Sequence, residues 1–273
     1  MILDEWLDFC DHNHCQLIVV NDGSTDGTHE ILKSYQSTRP FTLIHHKVNK
    51  GYGGAIKTGI RAAQTEFLVT VDGDGQHRTE SIVRMHHEMV EKDIDLLIGT
   101  REKEKSVTAR GIGKWLIRTL SRALLPNNIS DLNSGLKMYR TELAQRFVKV
   151  SPNSMAFSDI MTLSFIAEKY KVMEIPILIN PRAGGESKIT FVSAFDTVIE
   201  IINIVVFFNP LRLFLPLSVL FLLAGLAWGI PIVVQGRGVS TGSLLAFTIS
   251  AIALLLGLIA EQLSQIRRML IDA

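Results

Sequence analysis

Between residues 16 and 98 the chain switches repeatedly from short, β-rich apolar runs to longer segments whose apolar residues recur at helical spacing. This pattern predicts strands at Gln16–Val20, Phe41–His45, Glu66–Val71 and Ile94–Ile98, and helices at Thr28–Ser37, Gly54–Gln64 and Thr79–Glu91. Such alternation implies a largely parallel sheet with helices on both faces, which binds ligands beyond the carboxyl ends of its strands. Past residue 100 the rhythm loosens into a charged stretch at 101–105, a helix over Lys114–Leu125 and a loop over Pro126–Ser134 that would wall the site. Val172–Ile179 reads as a further strand, and 181–188 as a polar turn.

The pattern then changes character. Phe191, Phe195, Val198, Ile199, Ile202 and Val206 make one apolar stripe ending at Asn209-Pro210, which suits a helix in a membrane interface or one packed on the soluble core. No charged residue occurs from Leu213 to Val234 or from Ser243 to Ala260, and each run approaches the roughly 20 residues that cross a bilayer. A transmembrane hairpin is the expectation. Arg212 before it and Arg267-Arg268 after it favour both ends in the cytoplasm. Asp4, Glu5 and Asp8 interrupt the N-terminal apolar residues, so no signal peptide is expected and the large N-terminal portion should stay cytosolic.

Composition narrows the picture a little. The 273 residues carry a formal net charge of +1, which argues against nucleic acid as the main partner. The two cysteines, Cys10 and Cys15, are too few for a disulfide framework or a zinc site.

The candidate chemistry lies in two aspartate-rich loops. Asp72-Gly73-Asp74-Gly75-Gln76-His77 ends an apolar strand with two carboxylates and a further oxygen donor, a set suited to a hard divalent cation, although Asp-Gly is also a hairpin signal. Asn21-Asp22-Gly23-Ser24-Thr25-Asp26-Gly27-Thr28 follows the first strand. There Asp22 can accept from a nucleobase or a sugar hydroxyl, while Asp26 or Thr28 can cap the next helix. Of the histidines, 45, 46, 86 and 87 read as ordinary surface or helix residues, and only His77 sits near the site.

With Asn49-Lys50-Gly51-Tyr52-Gly53-Gly54-Ala55, Gly99-Thr100-Arg101, Asn133-Ser134-Gly135 and Gly185-Glu186-Ser187-Lys188, these loops form an ordered set spanning roughly residues 15 to 190. The set resembles glycosyltransferase family 2, in the branch of dolichyl-phosphate mannosyltransferase and bacterial polyprenyl-phosphate glycosyltransferases. The resemblance implies an α/β GT-A, Rossmann-like nucleotide-sugar domain over 1–188, an interfacial amphipathic helix over 189–212, and a transmembrane hairpin with a short cytoplasmic tail over 213–273. It implies an inverting, metal-dependent hexosyltransferase at the cytoplasmic face of the membrane, with UDP- or GDP-hexose as donor, polyprenyl phosphate as acceptor and Mg²⁺ or Mn²⁺ as cofactor. It also leaves room for a homo-oligomer.

Carried over position by position, it places Asp22 and Ser24 at the nucleotide, Asp72 at ribose and metal, and Asp74 with Gln76 on the metal. Arg101, Arg110 and Arg182 fall around phosphates, with Ser134, Ser187 and Lys188 beside them. An anionic lipid phosphate needs no general base, which leaves Asp159 a structural or acceptor-orienting role. Transfer to a lipid or polysaccharide hydroxyl would instead make Asp159 the base. The other readings are a catalytically inactive membrane-bound paralogue and a metal-dependent phosphatase or nucleotidyltransferase. Relatives open with a strand and a Pro-x-Tyr-Asn-Glu loop that this sequence lacks, so the domain is expected to be N-terminally incomplete. Asn21 stands where they usually carry aspartate.

Overall fold

The computed structural model describes residues 2–101, 129, 131–132, 134–154, 157–180, 202, 205–207 and 209–272. The chain divides into two compact units, one built from 1–106 and 128–188, the other from 107–127 and 189–273.

In the first unit the elements run α1 (Ile2–Asn13), β1 (Ile18–Asn21), α2 (Thr28–Thr38), β2 (Thr42–His45), α3 (Tyr52–Ala62), β3 (Phe67–Thr70), α4 (Thr79–Glu91), β4 (Leu96–Arg101), β5 (Lys137–Arg140), α5 (Thr141–Phe147), α6 (Phe157–Ala167) and β6 (Val172–Ile177). The expected strand–helix alternation up to β4 is present. Among the described residues, however, the strands form two sheets, and the larger is mixed rather than largely parallel. β1 pairs with β2 in parallel, Ile18 against Thr42, as a two-stranded sheet. The other four strands are ordered β3-β5-β4-β6, with β5 antiparallel to both neighbours and β4 parallel to β6. In an antiparallel pair directly opposed residues alternate between close and wide spacings, and here Leu68 and Leu96 both stand against Tyr139 of β5.

The core lies under the four-stranded sheet. Ile82, Met85 and Met89 recur at helical spacing on α4 and pack on Leu97, Leu136, Met138, Ile175 and Ile177, with Trp6 and Phe9 of α1 against the same cluster. α4 stops where Asp93 takes a left-handed backbone (φ 47°) and the Ile94 N–H bonds the Met89 carbonyl, a C-terminal cap that Asp tolerates better than branched residues. On the other face Phe147, Phe165, Tyr139 and Tyr170 form an aromatic cluster, with the Phe147 and Phe165 centroids 4.8 Å apart. Leu96, Leu97 and Ile98 of β4 are wholly buried, whereas β1 and β3, each paired on one side only among the described residues, are half-buried for most of their length.

The second unit contains α7 (Leu211–Val234) and α8 (Thr241–Asp272), an antiparallel pair joined by a short turn through Gly236 and Gly238. Both are long and apolar enough to cross a membrane. Ser218 Oγ donates to the Ser250 carbonyl at 2.9 Å and Ser250 Oγ donates back to the Ser218 carbonyl at 2.8 Å, a reciprocal clasp in the buried seam. A Cβ at Gly257 would stand 2.7 Å from Phe214 Cβ, so this crossing needs glycine. The outward faces carry Leu220, Leu223, Trp228, Leu245, Leu255 and Ile259, all exposed. Most of the expected stripe at 191–206 and the expected helix at 114–125 lie outside the described residues; Ile202 and Val205–Phe207 are helical.

Candidate active site

Both aspartate loops fall at carboxyl ends of strands, Asp22 just after β1 and Asp72 just after β3. Residues 50 to 52, at the start of α3, tie them together. The Lys50 N–H donates to Asp22 Oδ1 at 2.9 Å, and the Tyr52 hydroxyl donates to Asp72 Oδ1 at 3.4 Å. One short glycine-rich segment thus touches both carboxylates.

Asp22 is held firmly. His46, at the end of β2, donates from Nδ1 to Asp22 Oδ1 at 2.6 Å, and its Nε2 lies 2.9 Å from Thr58 Oγ1 on α3. Partial burial opposes ionisation of Asp22, but the bonds from His46 and the Lys50 amide outweigh it and hold the carboxyl below the usual carboxylate range. The reading of His46 as an ordinary surface residue is therefore corrected: it is 5% exposed and joins two loops. His45, His86 and His87 are exposed, as expected. Asn21 Oδ1 accepts from the Ser24 N–H at 3.1 Å, which fixes the loop's turn, while its Nδ2 is buried without a partner among the described residues. Asp26 accepts from the Thr28 N–H and hydroxyl at 3.2 and 2.5 Å, but it stands one residue before the cap position: the N-cap of α2 is Gly27, not Asp26 or Thr28 as expected, and no side chain bonds there.

Asp72 is held loosely and approached closely. Besides Tyr52, His77 Nε2 stands 3.8 Å from its Oδ2, and His77 Nδ1 is buried without a partner among the described residues. A Cβ at Gly135 would lie 2.0 Å from Asp72 Oδ2, so only glycine lets the 134–136 backbone lie against this carboxylate. Asp74 Oδ1 accepts from the Gln76 N–H at 3.1 Å, closing the loop on itself. The loop is also pinned from β6. The Asn180 N–H donates to the Gln76 carbonyl at 2.8 Å, the Asn180 amide reaches the Gly75 carbonyl, and Arg78 Nε donates to Asn180 Oδ1 at 2.7 Å.

Sequence reasoning missed two further members, Tyr52 and Lys137. Burial first, then Asp72 and more distantly Asp159, pushes the Tyr52 phenol far above its usual value, so it stays a neutral donor. Asp159, in the first turn of α6, thus belongs to the same electrostatic neighbourhood as Asp72. Lys137 on β5 is only 1% exposed, and its Nζ lies 2.6 Å from the Leu132 carbonyl, 2.7 Å from the Ser158 carbonyl, 2.6 Å from Ser158 Oγ and 2.8 Å from Thr162 Oγ1. Burial pushes this amine down to about 7, against the opposing pull of Asp159 and Asp131. The Tyr52 signal was its place inside the Asn-Lys-Gly-Tyr motif; nothing in Gly-Leu-Lys-Met-Tyr announces a buried lysine.

Ser134 donates its hydroxyl to the Gly99 carbonyl at 2.5 Å, fastening the loop to β4. Ser24 is exposed, Gln76 is buried beside Asp74, and Arg101 is the last residue of β4. Arg110, Arg182, Ser187 and Lys188 lie outside the described residues. Among the described residues no three side chains of Asp, Glu, His or Cys converge as a metal cage. Two carboxylates in one loop, one of them loosely held, nonetheless form the oxygen-rich partial set that suits a cation completed by phosphate oxygens.

Residues 2–147 match the family model for glycosyl transferase family 2, and residues 209–266 match a model described as the GtrB C-terminal hairpin. The chain is 25% identical over 195 residues to a dodecaprenyl-phosphate galacturonate synthase of Rhizobium johnstonii, covering 70% of this chain and 57% of that protein. It is 28% identical to an undecaprenyl-phosphate mannosyltransferase of Micrococcus luteus (64% of this chain, 75% of the relative). With a dolichol-phosphate mannosyltransferase of Pyrococcus furiosus it shares 29% identity (66% and 52%). The chain thus spans between about half and three quarters of these relatives' lengths. Among solved structures, glucosyl-3-phosphoglycerate synthase from Mycobacterium tuberculosis with Mn²⁺, UDP and glucosyl-3-phosphoglycerate superposes with a TM-score of 0.56 at 14% identity, covering 74% of each chain. The same enzyme with Mn²⁺, UDP-glucose and phosphoglyceric acid gives 0.52 at 15% identity, covering 69% of this chain and 68% of that one. These likenesses establish the GT-A fold.

Proposed function

The chain belongs to glycosyltransferase family 2 and is a glycosyltransferase, and we propose that it moves a hexose from a nucleotide sugar to a polyprenyl phosphate at the cytoplasmic face of a membrane. The observation that carries this reading is the 50–52 segment that touches both Asp22 and Asp72, so that one side of a nucleotide sugar is read at the first loop while its diphosphate meets the second. The names of the three relatives support a polyprenyl phosphate as acceptor, and the apolar hairpin would keep the catalytic unit at the surface where such a lipid resides.

In this reading Asp22 accepts hydrogen bonds from the nucleobase. Asp72, Asp74 and Gln76 would hold Mg²⁺ or Mn²⁺, which neutralises charge developing on the diphosphate leaving group. The Tyr52 hydroxyl orients Asp72, and the absence of a side chain at Gly135 leaves the carboxylate room beside the 134–136 backbone. Arg101, Arg110 and Arg182, with Ser187 and Lys188, are assigned to phosphate oxygens of donor and acceptor. An oxygen of the lipid phosphate bonds to the anomeric carbon as the bond from that carbon to the diphosphate breaks. The electron pair leaves with the nucleoside diphosphate, and the configuration inverts. The nucleophile arrives anionic, so catalysis rests on alignment and charge stabilisation.

The test is transfer from labelled UDP- and GDP-hexoses to undecaprenyl phosphate in membranes, with unphosphorylated undecaprenol as the contrasting acceptor. Product on the phosphate alone, abolished by EDTA and reduced on the order of 10²-fold or more in Asp74→Ala, is expected. Product on the alcohol, lost in Asp159→Asn, would replace this reading with hydroxyl transfer and Asp159 as base.

A further inference from the structure

We infer that His46 is a positioning residue for donor binding: it clamps one carboxylate oxygen of Asp22 so that the other is presented to the N–H edge of a nucleobase. The inference rests on the assignment of Asp22 to the base and names the residue that makes that assignment work. Three observations carry it. The two shortest bonds to Asp22, from His46 Nδ1 at 2.6 Å and from the Lys50 amide at 2.9 Å, both fall on Oδ1, and the Gly51 amide adds a further backbone interaction with the carboxylate. A carboxylate only accepts, so Nδ1 must carry the proton in this contact, which fixes the ring's role toward Asp22. The ring is anchored at its far end as well, because Nε2 meets Thr58 Oγ1 at 2.9 Å, and Thr58 is itself bonded to the Gly54 carbonyl at 3.0 Å within α3.

The clamp spans three elements: the Asp22 loop after β1, the end of β2 and the body of α3. The imidazole is almost fully enclosed, while Asp22 keeps a side-chain exposure of 19%, the arrangement of a buried support behind a ligand-facing carboxylate. A carboxylate with a fixed rotamer loses less freedom when a ligand binds than one that must be ordered. Nucleobase affinity is therefore the quantity His46 controls, and turnover at saturating donor is not.

Asparagine at 46 can place an amide N–H close to the position of Nδ1, whereas glutamine reaches toward the position of Nε2 and leaves Asp22 unsupported. The experiment is titration of the detergent-solubilised full chain with UDP and with GDP in the presence of Mn²⁺, for wild type, His46→Asn, His46→Gln, Thr58→Val and Asp22→Asn, followed by donor KM and kcat. For the nucleotide that wild type binds, His46→Gln is expected to weaken affinity about tenfold. His46→Asn should recover to within about threefold of wild type, and Thr58→Val should lose about threefold. These losses should appear in donor KM with kcat unchanged. Equal losses in His46→Asn and His46→Gln, or a loss seen in kcat alone, would overturn the inference. If His46→Gln does not fold, a Thr58→Val protein with wild-type affinity overturns it by itself. An unchanged affinity in Asp22→Asn, or no binding of either nucleotide by wild type, would instead sink the placement of Asp22 at the base. Weakened binding in Asp22→Asn beside wild-type affinity in His46→Gln would remove the clamp alone.

Discussion

Gly135 is the residue with the least tolerance for change near the site. Any side chain there would collide with the Asp72 carboxylate, since even a methyl carbon would lie 2.0 Å from Oδ2. Gly135→Ala is expected to displace either Asp72 or the loop by about an ångström and to cost on the order of 10²-fold in kcat, read by steady-state transfer assays beside a thermal melt. Lys137 gives a prediction of a different kind. Unfolded, its amine keeps a proton up to the usual lysine range, near 10.5; folded, burial releases that proton above about 7. Between those values the unfolded chain binds more protons than the folded one, so the folded state gains stability as pH rises through this window and is penalised below it. Melting temperature followed from pH 7 to 10 should rise for wild type relative to Lys137→Met, and a flat difference would contradict the depressed value.

Elements differ in how plainly the sequence announces them. α4 was legible because Ile82, Met85 and Met89 line one face, and Met85→Ala, which would hollow a fully buried site, is expected to cost about 2–5 kcal/mol in chemical denaturation. α6 was not legible, because residues 157 to 165 are buried nearly all round and the helix has no polar face to reveal its period. β5 escaped notice for a related reason: its four residues include a lysine whose burial is compensated largely by oxygens 21 and 25 residues away, on α6. The aspartate loops stood out because aspartate and glycine are poor strand formers, so their abrupt arrival after an apolar run marks both the end of the strand and a cluster of oxygen ligands. His46 did not, since a histidine after a strand is silent until its partners 24 and 12 residues away are in place. In the second unit the seam between α7 and α8 depends on small residues, and Gly257→Leu should overpack it by about 1–3 kcal/mol. Limited proteolysis of the detergent-solubilised protein would show this as faster cleavage in the turn near Gly236.

At the scale of the whole molecule, the catalytic unit rests on two sheets of unequal depth. The four-stranded sheet has at its centre β4 and β5, buried over Leu96–Gly99 and Lys137–Tyr139, while among the described residues β1 and β2 pair only with each other, in strands of four residues whose side chains are mostly half-buried or exposed. Two-stranded sheets are marginal without support, and here support comes from α2 and α3. Hydrogen exchange measured by mass spectrometry should find the amides of β1 and β2 exchanging at least an order of magnitude faster than those of β4 and β5. Equal protection would show that the unit opens only as a whole. On the expected outcome the two-stranded sheet opens as a separate foldon, and it is the one that leads into Asp22. A nucleotide bound there acts as a folding ligand: at a hundred times its dissociation constant it would add about 2.7 kcal/mol, slowing exchange in β1 and β2 and also at the Asp72 end of β3, where its diphosphate is assigned.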